Sequence, residues 1–66
     1  MTATVNGNIE QFDEELSVAE LLQRLDLGTD GIAVALNDAV VLRKDHAHTI
    51  IHDGDVIEII RAVAGG

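Results

Sequence analysis

A chain of 66 residues without a cysteine must hold its fold by burying apolar side chains, because no disulfide can restrain it. The same absence removes thiolate zinc sites, iron–sulfur clusters held by thiolates and any persulfide carried on a side chain. A domain this short buries only about 60% of the surface its unfolded chain exposes, which leaves no room for a deep enclosed substrate cavity. The expectation is one small domain that is not itself an enzyme. Hydrophobic residues, 47% of the chain, supply its core.

Charge narrows the choice of partner. Twelve Asp and Glu oppose four Lys and Arg, for a formal net charge of -8 and an isoelectric point near 4.4. Nucleic acid and anionic membrane surfaces are recognised by Lys and Arg, so neither is expected as a partner, and a basic protein face is. No apolar run approaches the roughly 20 residues of a membrane span. The opening Met1-Thr2-Ala3-Thr4 lacks the charge and apolar stretch of a signal peptide, so a cytoplasmic protein is expected.

Along the chain, Ala3-Thr4-Val5 and Ile9-Glu10-Gln11-Phe12 flank Asn6-Gly7, the residue pair that accepts the positive φ angles of a tight type I′ turn. They predict an antiparallel hairpin with Ala3, Val5 and Phe12 inward. Ser17 and Glu20 form a capping-box pattern, and Leu16 and Leu21 are spaced as a hydrophobic staple. Val18, Leu21, Leu22 and Leu25 recur at helical spacing, with Glu20 and Arg24 paired on the opposite side. A helix is expected from Val18 to Leu27, ended by a left-handed Gly28. The apolar run Ile32-Ala33-Val34-Ala35-Leu36 predicts a buried strand, Asn37-Asp38 a turn, and Ala39-Val40-Val41-Leu42 a returning strand. Arg43-Lys44-Asp45 begins a polar loop, Thr49-Ile50-Ile51 predicts a short edge strand, Asp53-Gly54-Asp55 a turn, and Val56 to Ile60 the last strand. One apolar helix stripe and one apolar sheet face pack most economically as a helix across one face of a mixed sheet. The helix is then the crossover that lets the last strand lie parallel to the first.

Side-chain catalysis finds little support. His46, His48 and His52 titrate near neutrality, yet no Ser-His-Asp or Cys-His arrangement can be assembled. His46 and His48, with His52 or Asp45, have spacing that a metal could use, but a polar loop beside an edge strand is the preferred reading and no metal is expected. Asp53 and Asp55 could be a general acid–base pair or turn residues, and the turn reading is preferred. The glycines do not form a phosphate loop. What remains is Ala62-Val63-Ala64-Gly65-Gly66. Extended, five residues reach roughly 16 Å, and an arm of such small residues can thread a narrow channel in another protein. The terminal carboxylate, an anion at neutral pH, needs activation, and coupling to a nucleotide phosphate makes an acyl-adenylate open to nucleophilic attack. If sulfur attacks, the product is a thiocarboxylate held on the chain itself.

These residues, in order and spacing, resemble the ThiS family of bacterial thiamine-biosynthesis sulfur carriers, which have a ubiquitin-like β-grasp fold. The likeness covers nearly the whole chain: Val5-Asn6-Gly7, Ser17 to Leu22, Ile32 to Asn37, Gly54-Asp55 with Val56 to Ile59, then Ala62-Val63 and Gly65-Gly66. The resemblance implies an α+β β-grasp domain over residues 1–61, with a four- to five-stranded mixed sheet and one helix, and a flexible C-terminal tail over 62–66. It implies that a ThiF-like adenylyltransferase uses ATP and magnesium to adenylate Gly66, with no cofactor bound by the chain itself. A sulfur donor, a cysteine desulfurase or related persulfide, then makes the thiocarboxylate, and a ThiG-like thiazole synthase accepts the sulfur. Gly65 would give clearance, and Ala62, Val63 and Ala64 would thread. The chain departs from the family pattern at Leu42-Arg43-Lys44-Asp45-His46, where members often have Pro, Arg, two polar residues and Trp. The alternatives are the small thiocarboxylate-bearing subunit of a molybdopterin-synthase-like complex, a ubiquitin-like protein modifier, and a plain interaction module.

Overall fold

The structure, a computed structural model, describes residues 1–27 and 31–61. Strand β1 (Thr2–Val5) turns through Asn6 and Gly7, both at positive φ, into β2 (Asn8–Gln11), with Val5 opposite Asn8. This is the two-residue turn that Asn-Gly predicts. Ala3 and Val5 are buried and Phe12 packs against the core, as alternation requires.

The short strand β3 (Leu16–Ser17) leads directly into helix α1 (Val18–Arg24). The capping box is complete: the Glu20 amide donates to Ser17 Oγ at 3.1 Å, and the Ser17 amide donates to Glu20 Oε1 at 2.9 Å. The other two free amides of the first turn donate to the loop that follows later in the chain, Val18 to the Thr49 carbonyl and Ala19 to the His46 carbonyl. Leu16 and Leu21, the staple pair, are both buried.

The helix is shorter than its periodicity predicts. It ends at Arg24, and the left-handed residue is Asp26 at φ 58, two residues before the expected Gly28, which lies outside the described residues. The Asp26 amide donates to the Gln23 carbonyl and the Leu27 amide to the Leu22 carbonyl, the paired bonds of a Schellman cap. Leu27 thereby folds back onto the core while Leu25, expected inside, is half exposed. Arg24 faces Glu14 at 3.5 Å rather than Glu20, whose carboxylate is engaged at the cap.

Beyond the helix come β4 (Ile32–Leu36), β5 (Ala39–Val41), a 3₁₀ turn at Arg43–Asp45, β6 (Ile50–Ile51) and β7 (Val56–Arg61). Five strands form one mixed sheet in the order β2-β1-β7-β4-β5, with β7 parallel to β1 and antiparallel to β4. The last strand thus occupies the centre, as the helical crossover demands. β3 and β6 pair separately as a small antiparallel sheet, a partner for the edge strand that the sequence reading did not supply. The core lies between α1 and one face of the large sheet, with Val18, Leu21 and Leu22 against Ala3, Val34 and Ile57. The run over 32–36 is buried on one side only: Val34 is enclosed, whereas Ala33 on the other face is exposed.

Candidate functional site

Gly66 and Gly65, with Ala64, Val63 and Ala62, lie outside the described residues, so the expected tail has no structural account. The strand that leads to it is well defined. β7 is paired on both sides: Thr4 and Val5 of β1 oppose Val56 and Ile57, and β4 runs alongside as far as Ile32 opposite Arg61. β1 stops pairing at Val5, and the side chain of Asn6 then takes over. Its Oδ1 accepts from the Ile59 amide at 2.7 Å and its Nδ2 donates to the Ile59 carbonyl at 3.3 Å, as a further strand residue would. At the start of β7 the Asn37 amide donates to the Val56 carbonyl at 2.8 Å, and Asn37 Oδ1 accepts from the Val56 amide at 2.9 Å. Two turn asparagines therefore hold the strand that ends at Arg61, the last residue before 62–66 in the sequence. The sequence reading assigned them to turns alone, and no local signal reveals their reach to a strand 53 residues away for Asn6 and 19 for Asn37.

The titratable candidates fall elsewhere. Asp53 accepts from the Thr2 amide at 2.7 Å and from the Thr2 hydroxyl at 3.3 Å, and these bonds hold its carboxyl below the ordinary carboxylate range. Asp55 accepts from the His52 amide and from Asn37 Nδ2. Both acids are tied into the turn, which is the structural reading of the pair. His46 is not part of an open polar loop: it is 4% exposed, with Nε2 3.3 Å from the Val41 carbonyl and Nδ1 buried without a partner. The position where family members often carry Trp is thus an interior one, and an imidazole fills it. His48 and His52 are exposed, and among the described residues no three His, Asp or Glu side chains come together as a metal site. No pocket opens among the described residues, and no described helix is long and apolar enough to cross a membrane.

One further feature stands out on the face of the sheet opposite α1. Pairing places Ile9, Thr4 and Val56 in one row and Val40, Ala35 and Glu58 in the next, with Ile60 beside Ala33 beyond them. Ile9, Val40 and Ile60 are 77%, 74% and 62% exposed.

Known proteins carry the same architecture. The ThiS family profile matches residues 2–66. The chain is 42% identical to the sulfur carrier protein ThiS of Escherichia coli K12, over all of both chains. It is also 30% identical over its whole length to a segment making up 20% of a thiazole synthase of Paramagnetospirillum magneticum. The crystal structure of a thiamine biosynthesis protein (ThiS) of Geobacter metallireducens superposes with a TM-score of 0.85 at 36% identity, with both chains fully covered. A helix across one face of a mixed sheet, a last strand at the sheet's centre and full-length likeness to these proteins together establish that the chain belongs to the ThiS family.

Proposed function

We propose that Gly66 is the working group of this protein: its carboxylate is adenylated, exchanged for a thiocarboxylate and spent as a sulfur donor in building a thiazole. The chain is a sulfur carrier for thiamine biosynthesis, consumed and regenerated as a cosubstrate while other proteins perform the catalysis. The observation that carries the reading is its 42% identity to the E. coli carrier from end to end. The topology agrees with it, because the central strand ends at Arg61, directly before the small residues Ala62, Val63, Ala64 and Gly65.

Each step needs an outside agent. A ThiF-like adenylyltransferase joins the Gly66 carboxylate to AMP from magnesium–ATP and releases pyrophosphate, which turns an unreactive anion into an electrophile. The outer sulfur of a persulfide from a cysteine desulfurase attacks the acyl carbon and displaces AMP. A thiol then reduces the resulting acyl disulfide and frees the thiocarboxylate. Gly65, without a side chain, lets the activating site close around the reacting carbonyl. A ThiG-like thiazole synthase receives the sulfur. In support of that partner, a thiazole synthase of P. magneticum includes a segment similar to this whole chain. This reading locates the chain in the cytoplasm, where ATP for activation is available.

The test is intact-protein mass after incubation with the adenylyltransferase, magnesium–ATP, the desulfurase, cysteine and a thiol reductant. Replacement of one terminal oxygen by sulfur adds about 16 Da to the chain. Deleting Gly66 abolishes that gain and leaves the fold intact. A wild-type chain that gains no mass, or a truncated chain that still delivers sulfur, refutes the reading, and ladders on other proteins would identify a modifier instead.

A further inference from the structure

We propose that Asn6 is a modification site: the Gly7 nitrogen attacks its side-chain amide and expels ammonia, and the grip of that amide on Ile59 sets the rate in the folded chain. This goes beyond the carrier reading and does not depend on it. An asparagine followed by glycine closes the ring with least hindrance, because glycine has no Cβ beside the attacking nitrogen. Asn6 and Gly7 are both exposed, and apart from its chain neighbours no heavy atom lies within 4 Å of where a Cβ on Gly7 would stand. Among the described residues no hydrogen bond engages the Gly7 amide. Opposing the attack, Asn6 Oδ1 accepts from the Ile59 amide at 2.7 Å, and Nδ2, the leaving group, donates to the Ile59 carbonyl at 3.3 Å. The side chain must release Ile59 before Cγ can turn to the Gly7 nitrogen, so attack proceeds from a locally opened state.

The Gly7 amide gives its proton to water and bonds to Asn6 Cγ. The Cγ–Nδ2 bond breaks, and the nitrogen leaves as ammonia with a proton returned by water. Water then opens the succinimide ring at either carbonyl, giving aspartate or, with Gly7 joined through Cγ, isoaspartate. One water is consumed and one ammonia released, with no oxidation or reduction. Either product weakens the hold on the central strand. Aspartate has no donor for the Ile59 carbonyl and turns a negative oxygen towards it. Isoaspartate puts a methylene into the backbone of the two-residue turn that sets Val5 opposite Asn8. Asn37 is the matched case: it also sits at positive φ in a two-residue turn, holding the Val56 amide at 2.9 Å and donating to Asp55 at 3.0 Å. The residue after it is Asp38, whose Cβ crowds the attacking nitrogen and whose carboxylate disfavours removal of its proton. Asn8, the remaining asparagine, precedes β-branched Ile9 within β2. Conversion is therefore expected at Asn6 first.

The test incubates the whole folded chain in neutral buffer made with heavy-oxygen water and follows each asparagine by peptide mass mapping. A synthetic peptide of residues 2–12, which holds Asn6-Gly7 without Ile59, is run beside it. Each conversion in this water adds about 3 Da. Asn6 is expected to convert at least about tenfold more slowly in the chain than in the peptide, from its two bonds to Ile59. It is expected to convert at least about tenfold faster than Asn37 or Asn8 in the chain. Equal rates in chain and peptide overturn the control by Ile59. Conversion at Asn37 or Asn8 level with or ahead of Asn6 overturns the site, as does no conversion of Asn6 over about a hundred half-lives of the peptide. In the isoaspartyl product, separated by chromatography, amide exchange is expected to show the protection of Ile59 lowered about tenfold relative to Ile57. An unchanged ratio overturns the link between the modification and the strand.

Discussion

Replacing Asn6 with glycine isolates the side chain that holds the end of the central strand. Asn6 sits at φ 50 in the hairpin turn, a conformation glycine adopts without penalty, so Asn6→Gly keeps the turn and removes only the reach to Ile59. The 2.7 Å bond from the Ile59 amide is worth about 1 kcal/mol and the longer 3.3 Å bond to its carbonyl about 0.5, together ~1.5 kcal/mol or roughly tenfold in a local opening equilibrium. Ile57 supplies the internal reference, because it is paired through the backbone with Val5 of β1 and Leu36 of β4, which the substitution leaves in place. Amide hydrogen exchange by NMR should therefore show the protection of Ile59 falling about tenfold relative to that of Ile57. An unchanged ratio would mean that water replaces the asparagine at no cost. The strand end would then be held by its pairing with β4 alone.

Two further expectations concern stability and pH. Asp26→Gly relieves a left-handed residue and removes a negative charge from the carboxyl end of α1. Against the added freedom of the unfolded chain this leaves about 0.5–1 kcal/mol of stabilisation, or about 2–8 °C in Tm by calorimetry, and a lowered Tm would defeat the Schellman account. Asp53 has its folded pKa depressed by the Thr2 amide and hydroxyl, so it binds protons less readily folded than unfolded. Its contribution is present above the unfolded value and lost as pH falls through the folded one. The difference in urea midpoint between wild type and Asp53→Asn is then constant above about pH 5 and shrinks below about pH 4, and a difference independent of pH would show that these bonds do not favour the charged form.

Features set by near neighbours were legible before the structure. The start of α1 is read from Ser17 and Glu20 because the capping box closes within one turn. The first hairpin is read from Asn6-Gly7 because the turn needs only those two φ angles. The end of α1 was misplaced because Leu25 and Leu27 extend the apolar pattern. What stops the helix is the packing of Leu27 back onto the core, which leaves Asp26 in a conformation that its residue type does not advertise. His46 looked polar because its neighbours Lys44, Asp45 and His48 are. Its backbone carbonyl receives the Ala19 amide of the helix start, and docking there draws the ring inside.

The site divides along the same line. Gly65 and Gly66 are conspicuous in one dimension, whereas Asn6 and Asn37 acquire their roles only when the topology brings β7 between β1 and β4. The strand order also turns smallness into function. Among the described residues of this short chain a single α-helix covers one face of the sheet, so apolar residues such as Ile9, Val40 and Ile60 stay outside on the other. Routing the chain through that helix places the last strand at the centre, where pairing on both sides fixes it better than an edge could. The open face consequently includes Val56, Glu58 and Ile60 of the same strand that ends at Arg61.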